Sequence, residues 1–334
     1  MGDYDQYISR SDVSSYLLPD QYSNEIIQAM PTSSFCLRMM RKLPNMSAKT
    51  YKLPVLNSFA TAYFVGEVAG SRGATNTKKT TDLSWSGVTL TAEEIACIVP
   101  VPENVLDDMT SGGYDLWAET KPRILEAIGR TVDAAILYGT NKPTAWPDGI
   151  VTQAAAKGNT VEQGYFGTDL YDDILSVSED GTKVGLFGLV EEDGYIVNGI
   201  LAEIGVMGKL RGVRGNDGVP IFQNDMKEAN SFRLAGVPLT FPDNGVFDKT
   251  TGLMVAGDWK QAVYAVRKDI TFKIATEASI HDASGNLVYN LFQDDMVALR
   301  MTFRMGWALP NPKNLMNTTD ETRFPFSVMT PAGE

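Results

Sequence analysis

The chain is short of the residues on which most enzymes and metal proteins depend. Among its 334 residues there is one histidine, His281. A zinc site with several histidines cannot be built, and two cysteines are too few for thiolate zinc. Cys36 and Cys97 lie far apart in the chain. They make neither a ligand pair nor a disulfide framework, so both are expected as buried thiols in a reducing compartment. His281 sits in Ser279-Ile280-His281-Asp282-Ala283-Ser284-Gly285-Asn286, a polar turn between strands. No Gly-x-Ser-x-Gly elbow accompanies it, so a Ser-His-Asp triad is not expected.

Phosphate-binding signatures are missing too. There is no Gly-x-Gly-x-x-Gly and no Gly-rich loop closing on Gly-Lys-Ser/Thr. The look-alike Gly205-Val206-Met207-Gly208-Lys209-Leu210 lacks the leading glycine at the right spacing and the hydroxyl that would hold magnesium. It reads as a helix end with Gly208 as C-cap. No apolar run approaches the roughly eighteen residues of a membrane span. The start, Met1-Gly2-Asp3-Tyr4-Asp5, has neither a basic n-region nor an apolar h-region, so no signal peptide is expected.

Positive charge is also scarce. Lys and Arg number 29 against 41 Asp and Glu, a net charge of -12. That balance gives no support to a sequence-specific nucleic-acid binder, whose footprint is usually basic. Carboxylates cluster at Asp107-Asp108, Asp172-Asp173, Glu179-Asp180, Glu191-Glu192-Asp193 and Asp294-Asp295. None has EF-hand spacing. They read as solvated faces, helix starts or interface charges, and nothing in them selects a reaction.

What the chain does have is core. Hydrophobic residues make up 43%, ordinary for a globular protein, and the length suffices for two cores. With 30 glycines and 16 prolines, many turns and long loops are expected. Residues 1–50 read as an arm, with short helices over Tyr22–Met30 and Ser34–Met40, packed along its own or a neighbour's surface. Residues 51–58 read as a strand, and two further β-rich runs, Ala62–Val68 and Leu83–Thr91, flank the polar stretch from Gly70 to Asp82. They describe an extended hairpin. A two-stranded ribbon is marginal alone, so it is either an ordinary surface hairpin or one that needs a neighbour.

A long helix is expected from Asp115 to Tyr138. Leu116, Ile124, Leu125, Ile128, Val132 and Ile136 recur at the spacing of one buried stripe, and the length is about 36 Å. The middle alternates helix and strand. It includes a buried strand Gly194–Asn198 entering a helix Ile200–Leu210, and it reads as one α/β domain between β-rich flanks. In the last long run Val297, Leu299, Met301, Phe303 and Met305 face one way, and Arg300 and Arg304 the other. That is a half-buried strand with a cationic outer face, either solvated or meeting acidic residues of a neighbour.

The order of these parts resembles the tailed-bacteriophage major capsid proteins of the HK97-like fold, over residues 50–312. The stretches that carry the resemblance are Val255-Ala256-Gly257-Asp258-Trp259-Lys260-Gln261-Ala262-Val263 and Leu291-Phe292-Gln293-Asp294-Asp295-Met296-Val297-Ala298-Leu299-Arg300-Met301-Thr302-Phe303-Arg304. The resemblance implies an α+β fold. Its parts are an N-terminal arm (1–50), an extended loop with its base strands (51–100) and a peripheral domain with the spine helix (101–145). An axial domain (146–250), peripheral return strands (251–312) and a C-terminal tail (313–334) complete it. It implies assembly into pentamers and hexamers of an icosahedral head enclosing double-stranded DNA, with no catalysis, cofactor or metal.

Further implications follow from the resemblance. Phe64, Glu67, Arg72, Lys78, Lys79, Asp82 and Trp85 would form the assembly loop, laid over a neighbour, with the arm beneath. Some relatives link subunits covalently. Here Lys78 or Lys79 and Asn311 or Asn314 are the side chains of the right type, and no such bond is expected. A scaffolding protein (separate from this chain, or fused ahead of it in a longer form of the sequence), a portal and a decoration protein are the implied partners, with assembly in the host cytoplasm and packaged DNA held without sequence readout. An acidic wall would limit adhesion of that DNA. The alternatives are an encapsulin-like shell, a tail or baseplate protein, and an acidic α/β hydrolase or glycosidase with two carboxylates across a cleft.

Overall fold

The computed structural model describes residues 34–62, 80–81, 83–112, 116–167, 169–179, 181, 183–214, 232–282 and 284–332. The expected helix at Tyr22–Met30, all but the first residue of the β-rich run Ala62–Val68, most of the loop tip (70–79 and Asp82) and the turn and strand over Gly215–Phe222 lie outside the described residues.

The apolar stripe at three-to-four spacing folds into one helix, Leu116–Leu137, with Pro122 in its second turn. Ile124, Leu125, Ile128, Val132 and Ile136 are all buried, the last two completely. Leu116 points elsewhere, into a small cluster with Val101 and Val105. The rest of the stripe packs on a four-stranded sheet in the order Arg41–Lys42, Val263–Ala275, Met296–Ala308, Glu93–Pro102. Side chains alternate along a strand with period two. Leu299, Met301, Phe303, Met305 and Trp307 therefore all reach the helix and form one core with it. Truncating Ile136 to alanine would leave a cavity there costing about 2–5 kcal/mol.

The opposite face of this sheet is covered over part of its length. Thr50–Leu56 pairs antiparallel with Trp85–Thr91 to form a ribbon. The base of the ribbon places Leu90 and Ala92, with Met46, on Val263, Ala265 and Ala308. Gly306 permits this approach, because a Cβ there would lie 2.6 Å from the Thr91 carbonyl oxygen. The Met296–Ala308 strand is thus half-buried only around Arg300 and Arg304. Its final residues are buried on both faces, since the ribbon supplies the cover that a lone strand lacks.

A six-stranded sheet builds the second core, in the order Thr160–Glu162, Phe326–Thr330, Met254–Gly257, Gly199–Ala202, Val237–Thr240, Phe232–Leu234. Helices Leu170–Leu175, Leu186–Glu192 and Ile204–Gly212 contribute Ile174, Leu186, Val190, Val206 and Leu210 to its core. Gly199–Ala202 and Met254–Gly257 are buried at every position, as strands covered on both faces must be.

Several expectations change here. Residues 313–334, expected as a tail, contain a fully integrated strand, and Phe326 and Val328 are completely buried. Met254–Gly257, expected among the return strands of the other domain, pairs with that strand and with Gly199–Ala202. The strand expected at Gly194–Asn198 lies at Gly199–Ala202, and the helix behind it starts at Ile204. The reason is local: the Glu203 side chain accepts the Gly205 amide and caps the helix there. Gly208 then lies inside the helix, which ends at Gly212 with Val213 as its cap, so Gly208 is not a C-cap.

Candidate functional site

The spine helix carries a buried aspartate, Asp133, with no exposed surface. Its Oδ1 accepts the Ser34 hydroxyl at 2.6 Å and the Cys36 amide at 3.1 Å. Its Oδ2 accepts the Phe35 amide at 3.0 Å and the Asn244 side-chain amide at 2.9 Å. Ser34 also caps the short helix Phe35–Met39 by accepting the Leu37 amide. Three segments about a hundred residues apart meet on one carboxylate. Burial pushes its pKa up and the four donors pull it down, with burial the larger effect. Cys36 is completely buried beside it, and burial first, then the Asp133 charge, holds its thiol protonated.

A second polar cluster fixes the segment between the two sheets. Asp193 accepts the Asn159 and Asn317 side chains at 2.7 Å each and the Phe324 amide at 2.9 Å. Arg323, almost wholly buried, donates to the Asn317 and Asn311 carbonyls at 3.0 and 3.1 Å and pairs with Asp320. The sequence gives little sign of either cluster. The only local signal is an aspartate set in the apolar run Val132 to Leu137.

The expected contact residues are distributed over several surfaces. Phe64, Glu67, Arg72, Lys78, Lys79 and Asp82 lie outside the described residues. Trp85 is on the ribbon and 66% exposed, an uncommon position for a tryptophan unless it meets a partner. Arg300 is exposed on the outer sheet face, whereas Arg304 lies opposite Glu94 and forms an ion pair with it. The two arginines are therefore not equivalent. Asn311 and Asn314 are bound within the chain. Asn311 donates to the Arg323 carbonyl at 2.9 Å and accepts the Tyr195 hydroxyl at 2.9 Å. Asn314 donates to the Asp193 carbonyl at 2.6 Å and accepts the Met316 and Asn317 amides.

Among the described residues no group of three or more His, Cys, Asp or Glu side chains converges to hold a metal. A groove of about 830 Å³ between the spine helix and helix Ile150–Lys157 is lined by Arg130, Tyr138, Val151 and Asp248. It holds a single carboxylate, where glycoside hydrolysis needs two. Burial pushes the Tyr138 hydroxyl up to about 12, so it stays protonated. No described helix is long and apolar enough to cross a membrane.

A long helix on a four-stranded sheet, a projecting ribbon and a second sheet domain define the HK97-like class of shell-building subunits. A model of the phage capsid family matches residues 14–319. The major capsid protein of Staphylococcus phage 80alpha is 26% identical over 300 residues, which span 89% of this chain and 82% of that protein. A solved structure from Microbacterium phage Oxtober96 is 32% identical, with TM-score 0.74, covering 98% of this chain and 100% of the other. One from Mycobacterium phage Adephagia is 26% identical, with TM-score 0.71 and coverages of 95% and 96%. The chain belongs to the phage capsid family. It is a structural component of the tailed-phage virion and self-assembles into an icosahedral shell.

Proposed function

We propose that the four-stranded sheet with its spine helix is the peripheral domain of rings of five and six copies. The six-stranded sheet is the axial domain that meets its neighbours at each ring's centre. The ribbon and the loop beyond it lie over an adjacent subunit, and the arm before Ser34 runs beneath. The observation that carries this reading is the ribbon's asymmetry. Its base is sealed onto the sheet by Leu90 and Ala92, while at its other end Trp85 is 66% exposed and Leu83 42%. Interfaces concentrate their energy in such aromatic anchors.

Assembly takes place in the host cytoplasm with a separate scaffolding protein, and a portal occupies one vertex. Packaged DNA meets the inner wall through nonspecific, salt-dependent contacts, since a chain of net charge -12 offers little attraction to phosphates. Deleting residues 66–82 and, separately, replacing Trp85 by alanine test the loop. Helical circular dichroism should stay at the parental level while particle yield by electron microscopy falls about tenfold or more, the loss expected of a central anchor. Parental particle yield in both variants would refute the role of the loop.

A further inference from the structure

We propose that Asp133 is a latch that couples the root of the N-terminal arm to the six-stranded domain through the spine helix. The inference rests on the shell reading for its consequence but not for its geometry. The two sides of the latch are Ser34, Phe35 and Cys36, which lead into the arm, and Asn244, which precedes Val246 in the loop leaving strand Val237–Thr240. The hydrogen bonds of both sides converge on the one carboxylate.

The coupling follows from burial. With no exposed surface at Asp133, water cannot replace a lost donor. Removing Asn244 leaves a buried charge with one partner fewer, and swinging the arm root aside then lets water reach it. A displacement of the 244 loop therefore loosens the arm, and a displaced arm loosens the loop, as linkage requires. Met39, at the end of the same short helix, makes a second and purely apolar contact with the six-stranded sheet: its methyl lies 2.3 Å from where a Cβ on Gly199 would be. In a shell whose subunits meet slightly different neighbours, such a latch fixes the point from which arm paths diverge.

Cys36 reports the state of the latch, because its thiol is completely buried within it. Alkylation of the full chain by iodoacetamide, read peptide by peptide, gives its rate. Cys97, on strand Glu93–Pro102, serves as the control for loosening of the whole domain. Asn244→Asp keeps the oxygen that accepts the Val246 amide at 3.2 Å and sets a second carboxylate against Asp133. It should raise Cys36 alkylation about tenfold or more, the loss of one hydrogen bond to a charge, and leave Cys97 unchanged. Asn244→Ala should act in the same direction. In an Asp133→Ala background, which removes both acceptor oxygens, Asn244→Ala should add nothing.

An unchanged Cys36 rate overturns the proposal, as does a parallel rise at Cys97, or an Asn244→Ala effect that persists without the carboxylate. Electron microscopy of the same variants addresses the shell. The latch variants should give particles of broader diameter than the parent, and uniform parental particles would overturn the latch's part in assembly. If the parent itself forms no particles, the shell reading fails while the alkylation result still stands.

Discussion

Arg304 lies directly opposite Glu94 in the register of two neighbouring strands, and its guanidinium meets the Glu94 carboxylate through Nε and Nη2. The side chains are 42% and 39% exposed. Solvent screening leaves such a pair about 0–1 kcal/mol of stability. Arg304→Ala should therefore lower the unfolding free energy in urea by no more than about 1 kcal/mol. Arg300, exposed on the same face, should behave differently: Arg300→Glu should leave stability at the parental value and reduce particle yield. Equal effects on both measurements would show that the two arginines share one role.

The carboxamides of Asn311 and Asn314 are both engaged within the chain, on Tyr195, Arg323 and Asp193. Each would have to break two or more hydrogen bonds to present its carbon to a lysine from another subunit. Assembled particles, boiled in detergent and run on a denaturing gel, should give the single-chain band at 36.5 kDa. A ladder of multiples would refute this. Asn314→Ala removes the donor to the Asp193 carbonyl and should cost about 1–3 kcal/mol through the acceptor left unpaired.

Acid should affect two aspartates with opposite sign. The Asp248 carboxyl is held below the ordinary range first by the Thr250 hydroxyl and then by the Thr250 amide. Its unfolded counterpart titrates near 3.9, so its contribution is present above about pH 3.9 and lost as pH falls through the lower folded value. Asp133 is raised by burial, so the folded chain takes up its proton more readily than the unfolded chain. Its linked contribution is full below about pH 3.9 and is lost as pH rises through the folded pKa. The protection of the Thr250 amide relative to its intrinsic exchange rate should thus fall only below about pH 4. Asp248→Asn should abolish that step. Loss of protection already at pH 6 would contradict the assignment.

Local periodicity was enough to place the spine helix and the alternating strand Met296–Ala308, because each is dictated by side chains within a few turns of one another, whereas the partner of Trp85–Thr91, expected in Ala62–Val68, is Thr50–Leu56. Where local signals competed, the capping group won: Glu203 set the helix start that a run of apolar residues left ambiguous. The exposed tryptophan at position 85 was legible as a loop residue, and its exposure came only with the fold.

By itself, then, the sequence determined the spine stripe and the alternating strand Met296–Ala308, since these depend on residue types and their spacing. Only the tertiary structure decided that Phe326–Thr330 enters the six-stranded sheet beside Met254–Gly257, that Arg304 pairs with Glu94 while Arg300 has no ion pair among the described residues, and that Ser34, Asp133 and Asn244 converge. Strand partners and buried polar contacts are chosen among segments far apart in the chain. The deciding energy is the cost of leaving a buried donor, acceptor or charge unpaired, which exists only once the chain has closed around it.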